Sequence, residues 1–377
     1  MLRELGMAGM DIKAKDDGPP NGHRHGGNPL KDMARLGLPN GTVIDFSTSI
    51  NPLGIPPVIK DHWSELVESV RDYPTIEGDG IAGFYRDRFG ISPENVLAGN
   101  GSTEVIYLLA RVLHPNRVLV IAPSFHDYYR ASVLSGADVA WLLLTENKGF
   151  SSLNTEVLSN ACKGVDAVWI GRPNNPTGSM LPRELLSEIS RRFSDKWFIL
   201  DEAFIQFTDN WEEEGFLLGK RPSNMIIIHS LTKFYSIAGL RMGGVIGSGE
   251  FISRMRQSKE PWTINGVAER AAGLLKECAG YEAETRSYIS CERKRVVKRL
   301  EEIEGIRTFT SSVNFILCRW ERTGELDDLL KHLLSNGVYV RDCRNFPGLE
   351  ENYFRIGLRT AAEDDQLISI ISSFSGE

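Results

Sequence analysis

A lysine just past an apolar strand, in a loop of small and hydroxylic residues, is placed for carbonyl chemistry. His229-Ser230-Leu231-Thr232-Lys233 closes the apolar run that starts at Met225, and Gly239-Leu240-Arg241-Met242-Gly243 follows it. An amine held there can form a Schiff base with an aldehyde cofactor; the plainer alternative is a solvated surface lysine. Ser230-x-x-Lys233 also matches the S-x-x-K of serine acylases, yet the chain contains neither S-D-N nor K-T-G.

Three further motifs point toward the same kind of ligand. Leu200-Asp201-Glu202-Ala203-Phe204 follows the apolar run Trp197–Leu200. The carboxyl end of a parallel strand is where such sheets bind ligands. A carboxylate there favours a protonated ring nitrogen; otherwise it is a loop or capping acid. Gly99-Asn100-Gly101-Ser102-Thr103-Glu104 opens a helical pattern with apolar residues at 105, 106, 108, 109, 112 and 113. Its glycines, free N–H groups and hydroxyls suit a phosphate, or serve as a simple helix cap. It is not the dinucleotide pattern G-x-G-x-x-G, because residue 104 is Glu. Pro173-Asn174-Asn175-Pro176-Thr177-Gly178 is turn chemistry, whose Asn amide can also donate to a phenolate oxygen.

The elements that must position these loops show in the periodicity. Short apolar runs at 117–121, 139–144, 166–170, 197–200, 225–229 and 244–247 alternate with amphipathic stretches such as 103–113 and 183–193. That alternation means βαβ units around a mostly parallel, buried sheet, an α/β fold. Residues 266–304 read as one or two long helices. A smaller α+β block of strands at 313–318, 338–341 and 353–358 follows, with helices at 326–334 and at the end. The expected organisation is a loose tail over 1–20, a Pro/Gly/Asn-rich segment over 21–60 wrapping the rest, a large domain over 61–265 and a small domain over 266–377.

Composition removes other classes. The chain has 377 residues, 25% charged and 41% hydrophobic, with 43 basic against 50 acidic side chains, a net charge of −7. A core this size needs no disulfide or metal, and the charge is wrong for a typical nucleic-acid binder. No apolar run reaches the roughly 18 residues of a membrane span. Five scattered cysteines, none in a C-x-x-C pair, argue against a disulfide framework or a zinc site. With no signal-peptide pattern at its start, the chain is expected to be cytoplasmic.

Taken in order, G-N-G-S-T-E, P-N-N-P-T-G, D-E-A-F, S-L-T-K and G-L-R-M-G resemble the fold-type I pyridoxal-phosphate enzymes of the aspartate aminotransferase superfamily, over about residues 23–375. The resemblance implies a large domain with a mostly parallel central sheet and pyridoxal 5′-phosphate as cofactor. It makes Lys233 the Schiff-base lysine and Asp201 the partner of the pyridine nitrogen. Asn175 meets the phenolic oxygen, alone, since Phe204 stands where many relatives carry Tyr. Gly101, Ser102, Thr103, Ser230 and Arg241 hold the cofactor phosphate, and Phe125 stacks on the ring. Tyr73, in Arg-Asp-Tyr-Pro, matches the tyrosine that reaches a neighbouring subunit's site, which implies a homodimer.

Two subfamilies of phosphorylated amino compounds come into question, the histidinol-phosphate aminotransferases and the threonine-phosphate decarboxylases of cobalamin synthesis. His25-Gly26-Gly27-Asn28, Asp45-Phe46-Ser47-Thr48-Ser49-Ile50-Asn51-Pro52-Leu53-Gly54 and the stretch from Arg341 through Arg355 to Arg359 resemble the decarboxylases. Ser49, where Asn is commoner, and the additional Arg344 depart from that pattern. By resemblance Arg355 binds the substrate α-carboxylate, while Arg341, His25 and Arg344 bind its phosphate; arginine's planar fork suits both anions. Serine phosphate, one methyl smaller than threonine phosphate, and transamination of histidinol phosphate are the alternatives.

Overall fold

Apolar runs without polar alternation need cover on both faces. In the computed structural model, which describes residues 26–39, 41–322, 324–349 and 351–374, they form the centre of a seven-stranded sheet. The strands along the chain are β1 Ile44–Asp45, β2 Val96–Asn100, β3 Arg117–Ala122, β4 Asp138–Leu143, β5 Ala167–Gly171, β6 Trp197–Asp201, β7 Met225–Ser230, β8 Met242–Ile246, β9 Ile306–Thr308, β10 Phe315–Trp320, β11 Val338–Tyr339, β12 Arg341–Asp342 and β13 Tyr353–Gly357. The large sheet runs β2-β8-β7-β6-β5-β3-β4, parallel from β7 to β4, with β8 antiparallel to both neighbours. Side-chain alternation sends Phe198, Leu200 and Ile227 into one apolar cluster and Ile199, Ile226 and Ile228 into the other. The architecture is α/β, as the alternating pattern predicts.

The second sheet, β12-β13-β10-β9, is antiparallel throughout. The helix Ala279–Glu301 packs on β9 and β10, and Ala361–Ser373 packs on that helix. The 266–304 stretch is two helices, split after Leu275. The first, Gly266–Leu275, packs on the helix Asp79–Phe89 beside β2, so it joins the first block rather than the second, where the sequence reading placed it.

The early segment connects the two blocks. β1 pairs in parallel with β11. The Asn51 N–H donates to the Lys233 carbonyl at 3.0 Å. Its side-chain amide donates to the Phe234 carbonyl, the Tyr281 hydroxyl and the Thr285 hydroxyl, each at 2.8 Å. A buried amide with three partners carries no desolvation penalty and ties the segment to the lysine loop.

Candidate active site

The strand ends and the small sheet enclose a cavity of about 350 Å³. Each expected chemical residue reaches it from a loop at a strand end: Phe125 after β3, Asn175 after β5, Asp201 at the end of β6, Ser230 at the end of β7 and Lys233 just beyond. Arg341 and Arg355 enter from β12 and β13. Gly26, Ser47, Thr48 and Ser49 of the early segment line the cavity as well.

Lys233 and Asp201 form its charged centre. Loss of water lowers the Lys233 pKa; Asp201 opposes that shift, while Arg241 and Arg355 add to it. The Lys233 ammonium lies 4.7 Å from the Phe204 ring centroid, a cation–π contact. Burial pushes the Asp201 carboxyl up; the Tyr128 hydroxyl, Lys233 and the Ala203 N–H pull it back. Tyr128 donates to one Asp201 oxygen at 2.7 Å, and the Ala203 N–H donates to the other at 2.9 Å. Sequence reasoning missed Tyr128, although it lies three residues after Phe125, on the helix His126–Leu134.

Gly101, Ser102, Thr103, Ser230 and Arg241 converge at the start of the helix Gly101–Leu113, whose first N–H groups have no intrahelical acceptor. Gly101 sits at φ +75°, and a Cβ there would collide with the Arg241 guanidinium. Arg241 itself holds φ 57°, a left-handed conformation that costs of order 1–3 kcal/mol in a non-glycine residue and is found mainly at functional sites. The Ser230 hydroxyl is buried with no hydrogen-bond partner. A glycine cradle, an arginine and an orphaned hydroxyl together fit a phosphate.

On the opposite wall, Arg355 donates to the Asn175 side-chain oxygen and, at 2.7 Å, to the Ser47 carbonyl, with Phe315 under its guanidinium at 4.9 Å. Burial lowers its pKa to about 10. Its Nε has no partner, and among the described residues no carboxylate lies within ion-pair distance. Arg341 donates to the Asp342 carbonyl and to Asn345 at 2.9 Å, and lies over Phe346.

One expectation changes. Arg344 does not line the cavity; it is paired with Asp342 at 2.9 Å and Asp327 at 2.5 Å, so nearby carboxylates already answer its charge. Tyr73, expected to serve a neighbouring subunit, is 87% exposed and not among the lining residues of this chain's own cavity, with its ring 5.6 Å from Trp262. His25 lies outside the described residues.

Behind the cavity, Arg172 and Glu202 are both fully buried, 3.5 Å apart. Arg172 also pairs with Glu214 at 2.8 Å, and Glu202 accepts from the Phe216 and Leu217 N–H groups. This pair joins the loop that carries Asn175 to the strand end that carries Asp201. Burial lifts the Glu202 pKa to about 6, against Arg172 and the two amides.

The family model "Aminotransferase class I and II" matches residues 42–371. The chain belongs to the class I and II aminotransferase family. A threonine-phosphate decarboxylase of Salmonella typhimurium is 32% identical over 351 residues, 92% of this chain and 95% of that protein. The crystal structure of a histidinol-phosphate aminotransferase from Clostridium acetobutylicum superposes with a TM-score of 0.80 at 29% identity, covering 86% of this chain and 97% of that one. An L-threonine-O-3-phosphate decarboxylase structure from Porphyromonas gingivalis gives 0.76 at 25% identity, covering 87% and 98%. The cofactor of this aminotransferase-family chain is pyridoxal 5′-phosphate, and the Gly101–Arg241 cradle with the unpartnered Ser230 hydroxyl fits its phosphate.

Proposed function

We propose that this enzyme decarboxylates an O-phosphorylated L-amino acid, with L-threonine O-3-phosphate as substrate and (R)-1-amino-2-propanol O-2-phosphate and CO₂ as products, in service of the cobalamin nucleotide loop. The observation that carries this reading is Arg355, a buried cation in the cavity wall with no carboxylate within ion-pair distance among the described residues. A buried charge without a counter-ion is costly, so the site favours a ligand that brings one. The substrate carboxylate fits it by bidentate pairing. Arg341, at the same end of the cavity, takes the phosphate, together with His25. The names of the relatives support the same substrate class.

Pyridoxal phosphate supplies the electron sink for a carbanion at Cα. Lys233 would hold it covalently and Asp201 would favour its protonated ring nitrogen, with Tyr128 and Ala203 keeping that carboxylate aimed. Asn175 would donate to its phenolic oxygen and Phe125 would lie against its ring. Held at both ends by Arg355 and Arg341, the substrate has its torsion about Cα fixed, and that torsion chooses which bond breaks. The Lys233 amine, lining the same cavity, would be the group that returns a proton to Cα.

Serine phosphate differs by one methyl, worth about 1–3 kcal/mol of discrimination. Histidinol-phosphate transamination is the second reading, supported by the 0.80 superposition. We read the chain as a homodimer: Tyr73, Ile76 and Trp262, which are 87%, 58% and 50% exposed, form one apolar patch.

One assay tests the reading. The holoenzyme is given threonine phosphate, then serine phosphate, without a keto acid, and CO₂ is followed. Release supports decarboxylation, and the relative kcat/KM names the substrate. No CO₂, with amine transfer from histidinol phosphate to 2-oxoglutarate, transfers the chain to the second reading.

A further inference from the structure

The small sheet turns a cationic face toward the large domain. Antiparallel pairing sets Arg341 opposite Arg355, Arg319 opposite Tyr353 and Arg319 opposite Arg307. Paired residues share a face, and so do Tyr353 and Arg355, two apart on β13. Arg341 and Arg355 are the two arginines assigned above to the substrate's anions. Arg319 and Arg307 are like charges directly opposed, which weakens strand pairing unless an anion lies between them.

The large domain supplies that anion. Glu146, in the short turn after β4, accepts from Arg319 at 2.8 Å and 3.0 Å, from Arg307 at 2.6 Å and from the Tyr353 hydroxyl. Burial alone would raise the Glu146 pKa; Tyr353 and the two arginines outweigh it and hold the carboxyl below its ordinary range. Glu321, 3.8 Å from Arg307, is a further carboxylate at this row.

We infer that Glu146 is a positioning residue for substrate binding. It docks the row Tyr353–Arg319–Arg307 and thereby fixes where the same sheet holds Arg355 and Arg341 over the cavity. Among the described residues, β13 also meets the large domain through the Arg355–Asn175 hydrogen bond and through the Tyr353 ring, 6.3 Å from that of Phe150. A substrate carboxylate competes for that guanidinium, so the tie to Glu146 is the hydrogen-bonded one that persists when substrate binds. The inference rests on the assignment of Arg355 and Arg341 to the substrate.

The test is Glu146→Gln in the holoenzyme, which keeps an acceptor for Tyr353 and removes the charge. KM for the phosphorylated amino acid rises about tenfold, with kcat within about twofold and cofactor affinity unchanged. Glu146→Gln and Arg319→Gln combined raise KM by less than the product of the two single effects. Amides of Tyr353–Gly357 exchange hydrogen faster in Glu146→Gln. An unchanged KM overturns the inference, as does a KM rise matched by lost cofactor affinity. Should the wild-type protein release no CO₂ from any phosphorylated amino acid, the functional reading fails on its own. The exchange of β13 then decides the role of Glu146, and unchanged protection sinks it.

Discussion

Tyr128 donates its hydroxyl proton to Asp201 at 2.7 Å while its ring stacks on Trp169, 5.3 Å between centroids and 7° from parallel. Burial holds the Tyr128 pKa well above the usual phenol value, so the hydroxyl stays a donor across the working range of pH. Tyr128→Phe keeps the stack and removes only the donor. With that donor gone, burial raises the Asp201 carboxyl further, and its preference for a cationic ring nitrogen weakens. Cofactor Kd should rise about tenfold, the cost of one hydrogen bond to a charged group. Fluorescence titration of the apoenzyme with pyridoxal phosphate measures it; an unchanged Kd shows that Asp201 needs no such partner.

Arg355→Lys separates the two ends of the substrate. Lysine keeps the charge but loses the fork, so kcat/KM for the amino acid phosphate should fall about 10- to 100-fold. A 2-aminoalkyl phosphate without the carboxylate serves as the control, since it engages only the Arg341 end. Its inhibition constant should move by less than about threefold. Equal losses for both compounds would mean that Arg355 does not select the carboxylate.

The strand-end loops were legible in the sequence because each joins a turn signature to a reactive residue type. Lys233, Asp201, Asn175 and the hydroxyl residues Ser102 and Thr103 beside Gly101 all line one cavity. What escaped were partners brought together by topology. Tyr128 and Asp201 are 73 residues apart, and Tyr353 and Glu146 are 207 apart. Arg344 misled for the opposite reason: assigning it to the substrate phosphate overlooked Asp342, two residues away, whose oxygens accept from both its backbone N–H and its side chain. β9, with three residues, shows no periodicity to read. The helix Gly266–Leu275 went to the wrong block because its apolar stripe does not say which partner covers it.

His229 supplies a pH prediction. It is 1% exposed beneath Ser230, its Nδ1 lies 3.0 Å from the Tyr85 hydroxyl, and burial pushes its pKa down to about 3 from the ordinary 6.5. Between those values the unfolded chain binds a proton at this residue that the folded chain does not. Its contribution is therefore lost as pH falls below the unfolded value, by about 1.4 kcal/mol per pH unit between about pH 6 and pH 4. His229→Asn keeps an acceptor for Tyr85 and cannot titrate. Urea unfolding of both proteins at several pH values should give a slope shallower by about one proton in the variant. Parallel slopes would place the titration elsewhere.

Tyr73 tests the dimer and the site together. The side chain is 87% exposed and absent from the cavity of its own chain, whereas Lys233 is inside it. In the proposed dimer, Tyr73 of one subunit would touch the cofactor phosphate held by the other. Tyr73→Ala and Lys233→Ala are then each defective as homodimers, the second without turnover and colourless after desalting. Unfolded together and refolded as a mixture, they form hybrids in which the Tyr73→Ala subunit contributes its intact Lys233 and receives Tyr73 from the Lys233→Ala subunit. One site per hybrid is complete, so activity should return to about a quarter of the wild-type value, half of the dimers being hybrids with one of two sites working. Sedimentation equilibrium checks that both parents are dimers. Dimeric parents whose mixture stays inactive would place Tyr73 outside the neighbouring site, with its exposed ring serving only to cover Trp262.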